Sequence, residues 1–126
     1  MTRRNPYDHG IPAEESHRLR LYLSHPERYS LVQELFDGLF HDVDTRCSRV
    51  LKSLREEHVS GPDFIWRMYH LSPAELGSRD GCGIKTFREL SARLQIFRRH
   101  MLLRHLNMDG PWGYADYITR NVQPAD

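Results

Sequence analysis

Apolar residues recur every three or four positions along most of this chain, a spacing that is typical of amphipathic helices. A short helix is expected in "AEESHRLRLYL", with acids in its first turn, and another after Pro26, which suits the first helical position. In that second helix the inward face is predicted to comprise Leu31, Val32, Leu35, Phe36 and Leu39. Sustained alternation of apolar and polar residues is missing, so no strand is expected and the predicted fold class is all-α.

The strongest pattern lies in "DVDTRCSRVLKSLREE", which has an apolar face and an opposite basic face. Asp42 or Asp44 can cap the start of this helix. Its inward face is predicted to comprise Val43, Cys47, Val50, Leu51 and Leu54. Its outward face carries Arg46, Arg49, Lys52 and Arg55, which can be an ordinary solvated face or a surface that contacts nucleic acid.

Three further elements follow. "DFIWRMYHL" predicts a short buried helix, and "SPAEL" combines Pro73 with a capping box of Ser72 and Glu75. After the glycines of "GCGIKT", a long helix is expected from about Ile84 to beyond Leu103. Its inward face is predicted to comprise Phe87, Leu90, Leu94, Phe97, Met101 and Leu102.

The charge is nearly balanced overall but unevenly distributed. The 126 residues carry a formal net charge of +1, and 39% of them are apolar, which suits one globular domain. Positive charge is gathered in residues 45–55 and 85–104, whereas the first 44 residues are rich in acids. The basic residues of 98–105 can extend a nucleic-acid surface or dock against the acidic N-terminal region. Docking is the favoured interpretation.

Several classes of function are not expected. The N-terminus lacks a signal-peptide pattern, and no run approaches the roughly 20 apolar residues of a membrane span, so we expect a cytoplasmic protein. Two cysteines do not form a disulfide framework, and the eight histidines lack zinc-site spacing. No triad or paired-carboxylate arrangement is evident, so we expect neither a metal, a cofactor nor enzymatic activity. A monomer is expected.

The segment "GCGIKT" has the components of a phosphate site. Glycine permits a positive φ or a crowded backbone, and the following helix begins with unpaired N–H groups at the positive end of its dipole. A simple turn between helices is an equal alternative. The segment resembles the helix-hairpin-helix motif of DNA-binding proteins, whose glycine–apolar–glycine–x–lysine–small pattern is matched by Gly81, Cys82, Gly83, Lys85 and Thr86.

A longer resemblance covers residues 43–94. The order "VDTRCSRVLK", "DFIWRMYHL", "SPAEL", "GCGIKT", "FRELSARL" is similar to the C-terminal domain of the bacterial RNA polymerase alpha subunit. This resemblance implies a free-standing relative without the polymerase-assembly domain. It divides the chain into an N-terminal lead-in and helical extension (1–40), a helix-hairpin-helix core (41–106) and a closing turn with a short aromatic element (107–126).

In that family, an arginine of the opening helix enters the DNA minor groove, and the hairpin contacts phosphates. The resemblance implies that Arg46 is the minor-groove residue, with Arg49 and Lys52 in support. It assigns phosphate contacts to Gly83, Lys85 and Thr86. The expected function is weak, salt-sensitive binding to AT-rich DNA in transcription regulation.

Three departures from the family pattern leave other functions open. Arg49 stands where the family often has asparagine, the stretch between Lys52 and "SPAEL" is longer, and the assembly domain is missing. A protein-protein interaction module that keeps the fold without DNA binding, and contacts a transcription-related protein, is the alternative. A nucleic-acid repair enzyme would need a carboxylate that faces the hairpin.

Overall fold

A computed structural model describes residues 11–106, and these residues form six α-helices followed by a π-helical segment. The elements are α1 (Ala13–Leu23), α2 (Pro26–Phe40), α3 (Thr45–Glu56), α4 (Gly61–His70), α5 (Pro73–Gly77), α6 (Ile84–His100) and the π-helical segment Met101–Leu106. No strand occurs within residues 11–106, which confirms the predicted all-α class. No helix in this range is long and apolar enough to cross a membrane.

Short side chains fix the starts of three helices. The Asp44 carboxylate accepts the Cys47 N–H at 2.8 Å and caps α3, so of the two predicted caps Asp44 is the correct one. The Ser60 hydroxyl accepts the Asp63 N–H at 3.2 Å at the start of α4. The predicted capping box of α5 is present, with both reciprocal hydrogen bonds between Ser72 and Glu75.

The long helix α6 lies at the centre of the fold and packs against α2, α3, α4 and α5. Its buried stripe includes Leu90, Leu94 and Phe97. The Phe97 ring makes edge-to-face contacts with Phe36 at 5.3 Å and with Tyr69 at 6.3 Å between centroids. Aromatic pairs with this geometry add specificity to the burial of apolar surface, so α6 organises the core.

The same core includes the first two helices. Leu19 of α1 and Val32 of α2 are fully buried in one cluster that continues to Leu106. The boundary predicted at residue 40 therefore falls between segments that share a hydrophobic core. Residues 1–10 of the predicted extension, and the closing element predicted for 107–126, lie outside the described residues.

The N-terminal helices pack against α6 and the π-helical segment, through contacts that differ from the expected charge pairing. Arg93 of α6 pairs with Asp42 at 2.6 Å and donates to the Leu39 carbonyl at 2.5 Å, which ties the end of α2 to α6. Arg98 instead donates to the carbonyl of Tyr69 at 2.7 Å, at the end of α4. Basic side chains commonly bond such terminal carbonyls.

One inward-facing residue was predicted wrongly. Leu31 of α2 is 51% exposed, whereas Phe40, outside the predicted set, is buried. Its ring stacks on Phe36 with 4.4 Å between centroids. The inward face of α2 therefore includes Phe40 and leaves out Leu31, because packing against α6 decides the orientation of α2.

Candidate nucleic-acid interface

Helix α3 presents Arg46 and Arg49 on its exposed face. These two residues are three positions apart, so their side chains lie next to each other one turn apart along the helix surface. Cys47 and Val50, at the base of this face, are buried in the core. The helix is thus anchored by its apolar stripe, and the two guanidinium groups project outward from it.

The chain between α5 and α6 makes a tight turn that requires one glycine. The Cys82 N–H donates to the Arg79 carbonyl at 3.1 Å, and Gly81 has a φ of +80°. A positive φ is needed at the third residue of a type II turn, and L side chains rarely adopt it. A Cβ on Gly81 would meet no atom within 4 Å, so the requirement for glycine is conformational.

Gly83 serves a different purpose from Gly81. It is the N-cap of α6, with extended angles (φ −74°, ψ −178°) that any residue adopts, and a Cβ there would point into open space. No side chain caps this helix start, and the first helical hydrogen bond runs from the Phe87 N–H to the Gly83 carbonyl at 2.9 Å. The N–H groups of the first turn therefore lie at an open, partially positive end.

An open groove of about 670 Å³ separates α3 from this turn. Arg46, Arg49 and Val50 form one side, and the turn residues 79–83 form the other. The residues that line it belong to α3 and the turn, and α1 and α2 contribute none of them. The fold thus brings three of the six predicted site residues, Arg46, Arg49 and Gly83, to one surface.

The other three predicted site residues have different positions. Lys85 is exposed in the first turn of α6, close enough to Asp44 to help keep the pKa of that carboxyl low, although the Cys47 N–H is the main cause. Thr86 is only 4% exposed, because it lies on the buried stripe of α6. Lys52 lines a separate groove between α2 and α3.

The charges around the groove are partly paired. The Arg79 guanidinium contacts the Glu57 carboxylate at 2.5 Å and the Ser53 hydroxyl at 2.7 Å, and this hydrogen-bonded pair lowers the pKa of Glu57. Asp80 adds an exposed acid to the turn side. Arg46 and Arg49 therefore supply most of the positive charge that faces the groove. The motif did not indicate Arg79, because its partners are 22 and 26 residues away in the chain.

The two cysteines lie close to this surface, and burial makes both thiols less acidic. Cys47 is fully buried, and burial together with the Asp44 hydrogen bond raises the pKa of its thiol to about 11. Cys82 is half-buried in the groove, and burial raises its pKa as well. Within residues 11–106 no group of three or more side chains could hold a metal ion.

Comparison with family models, with curated proteins and with solved structures gives no match. The fold and the groove therefore define only a class: a small helical protein whose exposed arginines face an uncapped helix start. The resemblance to the polymerase alpha C-terminal domain stays a prediction from the sequence.

Proposed function

We propose that this protein is a non-enzymatic DNA-binding module that contacts the minor groove and the phosphate backbone. The observation that supports it is the placement of Arg46 and Arg49 across one open groove from the N-terminus of α6. In keeping with the sequence resemblance, the proposal includes transcription regulation in a bacterial cytoplasm. Arg46 would enter the minor groove, where a narrow, AT-rich duplex concentrates negative potential.

The start of α6 would hold a phosphate through its backbone. Unpaired N–H groups and the helix dipole attract an anionic oxygen, and Gly83 has no side chain to keep that oxygen away. Lys85 would add a charge beside it. Because Thr86 is buried, its contribution would be packing of the helix start rather than a phosphate contact.

The expected binding is weak and depends strongly on salt. If Arg46, Arg49 and Lys85 each neutralise one phosphate, the slope of log K against log salt should be about −2.7. An affinity in the range of non-specific complexes, with Kd of roughly 10⁻⁴ to 10⁻⁶ M at physiological salt, is expected. Low-salt conditions are therefore needed to measure it.

Fluorescence anisotropy with labelled AT-rich and GC-rich duplexes tests this proposal. The double variant Arg46→Ala, Lys85→Ala should lose binding to both duplexes. Arg46→Ala alone should reduce the preference for AT-rich DNA, whereas Lys85→Ala alone should weaken both complexes equally and reduce the salt slope by about 0.9. Arg20→Ala, which removes a cation of α1 that does not line the groove, is the matched control. Unchanged binding in the double variant would refute the proposed surface.

A protein-interaction module is the second candidate, and one observation favours it. Ile84, the first residue of α6, directly follows Gly83 of the groove lining and is 71% exposed, and an exposed apolar side chain would suit a protein partner better than DNA. A pull-down with and without nuclease separates the candidates. Partners that survive nuclease, and are lost in Ile84→Ser while DNA binding is absent, would favour this second function.

A further inference from the structure

Arg79 joins the turn to α3 through two side chains. Its two terminal nitrogens contact Glu57, directly after the last residue of α3, and Ser53, one turn earlier. Its own carbonyl accepts the Cys82 N–H that closes the turn. One residue therefore connects the turn side of the groove to the helix that carries Arg46 and Arg49.

Glu57 connects Arg79 to two more elements. It also lies 3.5 Å from Arg67 of α4, and Arg67 reaches Glu75, the capping-box residue of α5, at 3.9 Å. The side chain of Arg79 is 19% exposed and that of Glu57 is 42% exposed. The ends of α3 and α4 and the start of α5 are thus held together by one charged network.

We infer that Arg79 is a positioning residue that sets the width of the groove between α3 and the turn. Its planar guanidinium bonds a carboxylate and a hydroxyl at the same time, which a lysine cannot reproduce with the same geometry. Because both of these acceptors belong to α3 and its end, the guanidinium is engaged by the protein itself. The effect of Arg79 on DNA affinity rests on the proposed function, whereas its effect on the position of the turn does not.

The turn position is measured without DNA by the reactivity of Cys82. This thiol lines the groove, whereas Cys47 is fully buried and serves as an internal control for global unfolding. Arg79→Ala and Glu57→Gln should raise the rate of Cys82 labelling by a maleimide roughly fivefold, which corresponds to about 1 kcal/mol of easier opening. Arg79→Lys should give an intermediate rate.

The matched controls come from an exposed ion pair that does not line the groove. Arg20 and Asp63 are 2.9 Å apart, and Arg20→Ala and Asp63→Asn remove the same kinds of charge. These controls should leave the rate of Cys82 labelling unchanged. Circular dichroism checks that every variant keeps the helical content of the wild type. Equal labelling of wild type, Arg79→Ala and Glu57→Gln would overturn the inference.

DNA binding by Glu57→Gln gives a second, independent test. Removing an acid should tighten binding to a polyanion if only net charge matters, as expected for Asp63→Asn. If Arg79 sets the groove width, Glu57→Gln should instead weaken binding several-fold. Tighter binding in Glu57→Gln would overturn the inference. If the wild-type protein binds no duplex, only the proposed function is refuted, because Cys82 labelling still tests the role of Arg79.

Discussion

Replacing Gly83 by alanine should weaken DNA binding while it leaves stability nearly unchanged. The residue has ordinary backbone angles and a Cβ would meet nothing within 4 Å, so alanine fits without strain. At an N-cap, alanine is worse than glycine by about 0.5–1 kcal/mol. Removing a glycine from the unfolded chain stabilises by about 0.4–1 kcal/mol. These effects offset, and the free energy of unfolding should change by less than about 0.5 kcal/mol.

The effect on binding should be much larger. The new methyl group would occupy the space in front of the α6 N-terminus, where a phosphate oxygen has to approach an N–H to about 2.9 Å. A hydrogen bond to a charged group contributes about 1.5–3 kcal/mol, so its loss should raise Kd about tenfold or more. Gly83→Ala should therefore lose affinity for DNA while its free energy of unfolding stays nearly constant.

Urea denaturation and anisotropy titration on the same preparations measure the two quantities. Gly38→Ala is the matched control, because this glycine lies inside α2 and its added Cβ would also meet open space. That control should gain about 1 kcal/mol of stability and bind DNA as the wild type does. If Gly83→Ala binds like the wild type, no phosphate is held at the start of α6. A loss of stability above about 1 kcal/mol would contradict the calculated offset.

Further predictions concern the turn, the core and the response to pH. Gly81→Ala should destabilise by about 1–2 kcal/mol in urea denaturation, because alanine resists the positive φ; an unchanged midpoint would contradict that turn geometry. Phe97→Ala should cost about 3–5 kcal/mol in the same assay, because this ring is fully buried among aromatic neighbours; a cost below about 1 kcal/mol would contradict its central place in the core. Burial lowers the pKa of His105, whose Nδ1 lies 2.9 Å from the Tyr22 hydroxyl. The packing of the neutral imidazole therefore stabilises the fold fully above the ordinary pKa of 6.5, and this stabilisation falls as the pH decreases below that value. Denaturation midpoints between about pH 5 and pH 8 should show this loss in the wild type and a smaller one in His105→Gln.

The helices could be predicted because their signals are local. Capping residues and the 3.6-residue apolar period act within one or two turns, and the start of α6 at Ile84 agrees with the prediction. The orientation of α2 was harder, since Leu31 and Phe40 both fit an apolar stripe. Contact with α6 decides between them, and that contact joins residues distant in the chain. The same limit applies to the π-helical continuation of α6, which no local signal indicated.

The candidate site shows the same division between local and tertiary information. Burial of Thr86 could have been predicted, because it precedes Leu90 and Leu94 by four and eight residues on the stripe that faces the core. The contact of Arg79 with Glu57 could not, since no short-range pattern relates them. Because Thr86 is buried, binding of a phosphate at this site would depend on the backbone N–H groups of α6 and on Lys85. The turn before α6 sets the positions of these groups. Affinity for DNA would therefore be governed by turn geometry, which depends on Arg79 outside the motif as well as on Gly81 within it.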